Sequence, residues 1–153
     1  MSERLDYTKA SPGGMKAFGS VYSYIVQSGL EGPLVDLIYL RISQINGCGY
    51  YLDMHARHLV KNGVALEKLA LVQTWREGGG LFSDREKAAL AWAETVTQLA
   101  TTGVPHEEFQ AAASVFGGKE LADLTIAIGL MNAYNRLAIG FRKTPEAVRA
   151  VGA

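Results

Sequence analysis

Leu40-Arg41-Ile42-Ser43-Gln44-Ile45-Asn46-Gly47-Cys48-Gly49-Tyr50-Tyr51-Leu52-Asp53-Met54-His55 decides how this chain is read. Its first six residues continue an apolar helical pattern that buries Leu34, Leu37, Ile38 and Ile42. Asn46 and Gly47 then punctuate it, and a second helical pattern follows. Asn46 reads as an N-cap, which predicts Cys48 in the first turn of the new helix. Exposed N–H groups and the helix dipole stabilise a thiolate there, so the sequence predicts a thiol pKa below its free value of about 8.5. The alternative at this position is a small, half-buried residue that simply fits.

His55 follows Cys48 by seven positions and shares its face, but a rise of ~1.5 Å per residue separates the two by about 10 Å along the axis. Direct hydrogen bonding between them is excluded. Position 51 lies one turn from each, and it holds a tyrosine. A phenol with a pKa near 10 is mostly protonated at neutral pH and does not attack peroxides as a thiolate does.

Outward from this stretch, the same punctuation predicts helices over 14–28, 33–45, 48–61, 66–77, 83–99, from 105 onward, over 119–142 and from 144 onward. Pro33 and Pro105 suit first turns, and Asn62-Gly63 suits a left-handed C-terminus. Ser83 with Glu86 is a capping box. No β-branched alternation marks a strand. The expectation is an all-α, single-domain bundle of seven to eight helices spanning 1–153.

The chain has 153 residues, of which 48% are hydrophobic and 20% charged, a globular balance. Fifteen basic and fifteen acidic side chains cancel without clustering, which excludes the basic patch that nucleic acid requires. The apolar run 121–141 carries Asp123, Asn132, Asn135 and Arg136, so it reads as a buried helix and not a membrane span. The first residues lack the apolar core of a signal peptide. One cysteine cannot form an internal disulfide, which fits a reducing, cytoplasmic setting.

His55 and His58 make an i, i+3 pair suited to part of a metal site, but no third ligand is evident nearby, so neither metal nor cofactor is expected. Gly78-Gly79-Gly80 lacks the lysine of a phosphate loop. His106 and Asp53 read as surface residues, and Trp75 and Trp92 as core or interface aromatics. Asn132, Asn135 and Arg136 require hydrogen-bond partners, expected among backbone groups or acids such as Asp36 and Glu94. Asp36 itself reads either as a surface acid paired with Arg41 or Lys16, or as part of a site.

The run LRISQINGCGYYLDMHARH resembles the motif of the AhpD-like (alkylhydroperoxidase D / carboxymuconolactone decarboxylase) family, in which a C-x-x-C pair precedes a histidine. Leu71–Glu77, Phe82–Glu94 and Asn132–Ile139 match in order, so the resemblance covers nearly the whole chain. It implies a helical bundle that assembles as a homo-oligomer (dimer, trimer or hexamer) and acts as an antioxidant peroxidase on a small-molecule substrate. In that family the second cysteine attacks peroxide, the first resolves the resulting sulfenic acid to a disulfide, and a histidine and a glutamate relay protons. By resemblance, Cys48 stands at the resolving position, His55 at the relay histidine and Asp36 at the relay glutamate. Tyr51 stands where the attacking cysteine belongs. Three outcomes follow: a lone-thiol peroxidase served by an external thiol reductant, a non-redox binding oligomer, or decarboxylase-like acid–base chemistry on a lactone through His55, Asp36 and Tyr51.

Overall fold

A computed structural model describes residues 2–151, and among them there is helix and no strand. The helices are α1 (Tyr7–Ala10), α2 (Pro12–Gln27), α3 (Gly32–Asn46), α4 (Gly49–Lys61), α5 (Leu66–Ala70), α6 (Asp84–Thr97), α7 (Leu99–Thr102), α8 (His106–Ala113), α9 (Gly118–Phe141) and α10 (Glu146–Val151). Short 3₁₀ stretches at Val72–Glu77 and Gly79–Leu81 join α5 to α6.

Among the described residues ten helices replace the expected seven or eight, because α1 and α7 are single turns of four residues, too short to show a period. Asp6 opens α1 by accepting from the Thr8 and Lys9 amides. Among the expected helices, the one over 66–77 is misread. It stops at Ala70 and tightens to 3₁₀, with Thr74 outside helical geometry (φ −117°, ψ 35°). That break lets Val72 and Trp75 both point inward, and burial there outweighs helix continuity. The capping box at Ser83 is present in both directions: Ser83 N–H donates to Glu86 at 2.8 Å, and Glu86 N–H to Ser83 Oγ at 3.2 Å.

The central element is α3. It packs against α4, α6 and α9, and residues around most of its circumference are buried. Ile25, Ile38, Ile42, Leu124, Ile128 and Met131 belong to one cluster of the core. Leu37, Leu40, Leu59, Val72, Trp75, Phe82 and Leu90 form a second. Ile38 and Ile42 are fully buried, and truncating either to alanine costs ~2–5 kcal/mol. The longest helix, α9, buries Leu121, Leu124, Ile128, Met131, Asn135 and Ala138 at alternating spacings of three and four, the stripe of a helix packed along its length. No helix of the described residues is long and apolar enough to cross a membrane.

Asn132, Asn135 and the exposed Arg136 of α9 find backbone groups and neutral side chains as partners, the first of the two kinds the sequence pointed to and not the acids. Asn46 Nδ2 donates to Asn132 Oδ1 at 3.0 Å and to Asn135 Oδ1 at 2.9 Å. Asn135 donates to Ser43 Oγ, Asn132 to Thr97 Oγ1, and Arg136 to the Asn132 carbonyl. Close by, α10 docks on α4, with the Ala147 amide donating to Asp53 Oδ2 at 3.0 Å.

Candidate functional site

The site is built by the tight antiparallel pairing of α3 and α4. Gly47 adopts the left-handed conformation (φ 67°, ψ 32°) that ends α3, its N–H donating to Gln44 O and the Cys48 N–H to Ser43 O at 2.8 Å. Asn46 is therefore the last residue of α3 and not an N-cap. Cys48 itself is the N-cap of α4, just outside the first turn where the sequence placed it. Since the turn takes only two residues, α4 folds straight back, and its inward residues 51, 55 and 59 face α3.

Cys48, Tyr51 and His55 lie on one buried face, as their spacing predicts. Their chemistry is less alike. Cys48 is 1% exposed, and burial pushes its thiol up; the Tyr51 and Tyr50 amides oppose that shift without reversing it. This overturns the expected low pKa, because the loss of solvent outweighs the helix dipole. A cavity of about 330 Å³ is lined by Cys48, Tyr50, Ile139, Arg142, Lys143 and Pro145, among others. Val148 of α10 forms part of its wall.

Tyr51 fills its own position. Its ring stacks on His55 (centroids 5.9 Å, 20°) and packs against Tyr50 at 4.9 Å and Tyr134 at 5.6 Å. Burial, with Tyr7 adding to it, holds the phenol far above its ordinary value. Tyr51 is thus a neutral ring in an aromatic box.

His55 and Asp36 are brought together from residues 19 apart. His55 Nδ1 lies 2.9 Å from Asp36 Oδ1. With an ionised carboxylate as acceptor, Nδ1 carries the proton and Nε2 is left as a lone pair. Nε2 is buried and has no hydrogen-bond partner among the described residues. Burial lowers the His55 pKa, the Asp36 carboxylate opposes that, and His58 adds to the lowering, so the imidazole is neutral at pH 7. An acid that fixes the tautomer and a free ring nitrogen behind it is the arrangement of an oriented general base. Tyr39 completes the pocket edge-on to His55 (centroids 5.1 Å), with its own hydroxyl buried and unpartnered.

Other residues settle into structural roles. Asp36 pairs with neither Arg41 nor Lys16; Arg41 donates to Glu94 at 2.7 Å instead. Trp75 also donates to Glu94, and Trp92 to Thr125. Asp53 pairs with Arg57, and His106 opens α8. The sequence reading missed the third donor beside the two histidines. His58 Nδ1 lies 3.7 Å from Asp36 Oδ1, so Asp36, already singled out for another reason, meets both rings.

Comparison with known proteins agrees with this architecture. The chain is 32% identical over 139 residues to the uncharacterised protein YdfG of Bacillus subtilis (strain 168), covering 91% of this chain and 94% of YdfG. It is 31% identical over 106 residues to the uncharacterised protein YnjA of Escherichia coli (strain K12), covering 69% of this chain and 57% of YnjA. A crystal structure from Agrobacterium tumefaciens, of a protein of unknown function proposed as an antioxidant defence protein AhpD, superposes with a TM-score of 0.89 at 38% identity, covering 94% of this chain and 98% of that one. A peroxidase-related protein from Silicibacter sp. TM1040 shares the fold (TM-score 0.76, 21% identity, 86% and 70% covered). The sequence model of the carboxymuconolactone decarboxylase family matches residues 12–95, more than half of the chain, and with the AhpD-like helical fold around the Asp36–His55 pair this chain belongs to that family.

Proposed function

We propose that this protein is a peroxidase-type oxidoreductase of the AhpD-like branch in altered form. In it Cys48 is the lone redox sulfur and the Asp36–His55 pair survives without the thiol it serves elsewhere. The observation that carries the reading is the His55 ring held by Asp36 with Nε2 unpartnered, one turn from Tyr51, the position that the resemblance gives to the attacking cysteine. The likeness to the Agrobacterium protein supports the antioxidant class.

The reaction balances without a second cysteine. The Cys48 sulfur attacks the terminal peroxide oxygen, the O–O bond breaks, and the alcohol leaves as the thiol becomes a sulfenic acid. One external thiol condenses with that sulfenic acid, releasing water and forming a mixed disulfide. A second thiol then displaces Cys48 and restores it. Turnover is slow, because burial keeps most of the sulfur protonated and His55 lies two turns away. Peroxide consumption with a dithiol donor tests this, comparing the native chain, Cys48→Ser and Tyr51→Cys. The expected results are a low rate in the native chain, none above background in Cys48→Ser, and a gain of at least about 10²-fold in Tyr51→Cys, the range a positioned acid–base pair contributes. Equal rates in all three would end the proposal.

One observation favours a second reading. A neutral, oriented imidazole suits proton abstraction from a carbon acid or lactone as well as from a thiol. Turnover of such a substrate that is lost in His55→Ala and kept in Cys48→Ser would establish it in place of the first.

A further inference from the structure

Asp36, His55 and His58 each offer one donor atom within 4.8 Å of the other two. His55 and His58 are one turn apart on α4, with ring centroids 5.9 Å apart and planes at 89°. Asp36 faces both from α3, its Oδ1 at 2.9 Å from one Nδ1 and 3.7 Å from the other. A first-row divalent ion holds such donors at about 2.0–2.2 Å, which spaces neighbouring ligands roughly 3–4 Å apart. Both carboxylate–imidazole distances are already near that range. The imidazole–imidazole distance closes by a small rotation of His58, whose side chain is 48% exposed.

We infer that Asp36, His55 and His58 form a site for a late first-row divalent cation, Zn²⁺ or Cu²⁺, at the seam of α3 and α4. Two imidazoles and one carboxylate favour these ions over Mg²⁺ or Ca²⁺, which take oxygen donors. The exposed side of His58 leaves the remaining coordination positions open to solvent.

Occupation has a defined consequence inside the protein. The ion takes the Nδ1 lone pair of His55, so the proton now on Nδ1 must move to Nε2. The interior nitrogen changes from acceptor to donor with no net change in charge on the ring. The cation therefore switches His55 from base to hydrogen-bond donor. That functional consequence rests on the acid–base role proposed above for His55; the binding itself does not.

Titration calorimetry with Zn²⁺ on the untagged chain tests the site. One ion per chain is expected, with affinity about tenfold weaker or worse in His58→Ala and unchanged in His106→Ala, the third histidine of the chain. His58 is half exposed, so its replacement leaves the fold intact. Nitrogen NMR of the His55 ring reads the second step: the ion should move the proton from Nδ1 to Nε2. Absence of stoichiometric binding, or equal affinity in His58→Ala, overturns the site, whatever the peroxide assay returns. Binding without the tautomer change overturns the switch.

Discussion

Two buried polar clusters flank α3 and are built to opposite rules. Around Glu94 three donors meet one acceptor: Arg41 Nε at 2.7 Å, Trp75 Nε1 at 3.0 Å and Arg76 Nη1 at 2.7 Å converge on its carboxylate. Burial alone would raise that carboxyl, but hydrogen bonds from Arg76, Arg41 and Trp75 outweigh it and hold it below its ordinary value. Around His55 the opposite holds. The buried polar side-chain atoms left without partners among the described residues are Tyr7 Oη, Tyr39 Oη and His55 Nε2, and all three belong to the neighbourhood of Tyr51 and His55. A satisfied cluster cements the fold. An unsatisfied one carries an uncompensated cost, and the role proposed for His55 rests on that cost.

The contrast can be broken by mutation. The largest effect is expected from Glu94→Ala, which leaves Arg41 largely buried without its anion and Trp75 without an acceptor. A loss of ~3 kcal/mol in denaturant unfolding is expected. A loss below about 1 kcal/mol would mean that the Glu94 cluster is no cement. Asn46→Ala comes next, removing the donor that ties α3 to Asn132 and Asn135; its expected cost is ~2 kcal/mol.

Acidification follows. His55 has a folded pKa below its unfolded value, so the unfolded chain binds more protons as pH falls through 6.5. Stability contributed by the neutral ring is therefore full above pH 6.5 and is lost as pH falls towards and through the folded pKa. Melting temperature against pH should show this decline in the native chain and a flatter curve in His55→Gln. The smallest effect is Tyr39→Phe, which removes an unpartnered hydroxyl and should leave stability unchanged or raise it by up to ~1 kcal/mol. A loss larger than that would place a partner on Tyr39 and blur the distinction.

Most of this fold is written in local signals. Pro33, the Ser83–Glu86 box and the apolar spacing of residues 121–138 each state a helix boundary or face within a few residues. What escaped is set from a distance. Nothing between Leu66 and Glu77 announces the switch to 3₁₀, because its cause is the demand that Trp75 reach Glu94, 19 residues on. The capping of Cys48 was legible in principle: a glycine after a helix closes that helix before the next one opens, so Gly47 outranks Asn46. The thiol's pKa was not, since its burial depends on α9 and α10, far along the chain. Asp36 was reached through family resemblance. Its meeting with both histidines came only from the way α4 folds back.

The docking of α10 over the cavity at Cys48 turns that sulfur into a clock. Thiol reagents much larger than a peroxide should label it faster when the last helix lifts, so the labelling rate relative to an unhindered thiol follows that opening. Loosening the Ala147–Asp53 tether with Asp53→Ala should speed the labelling while the melting temperature barely moves.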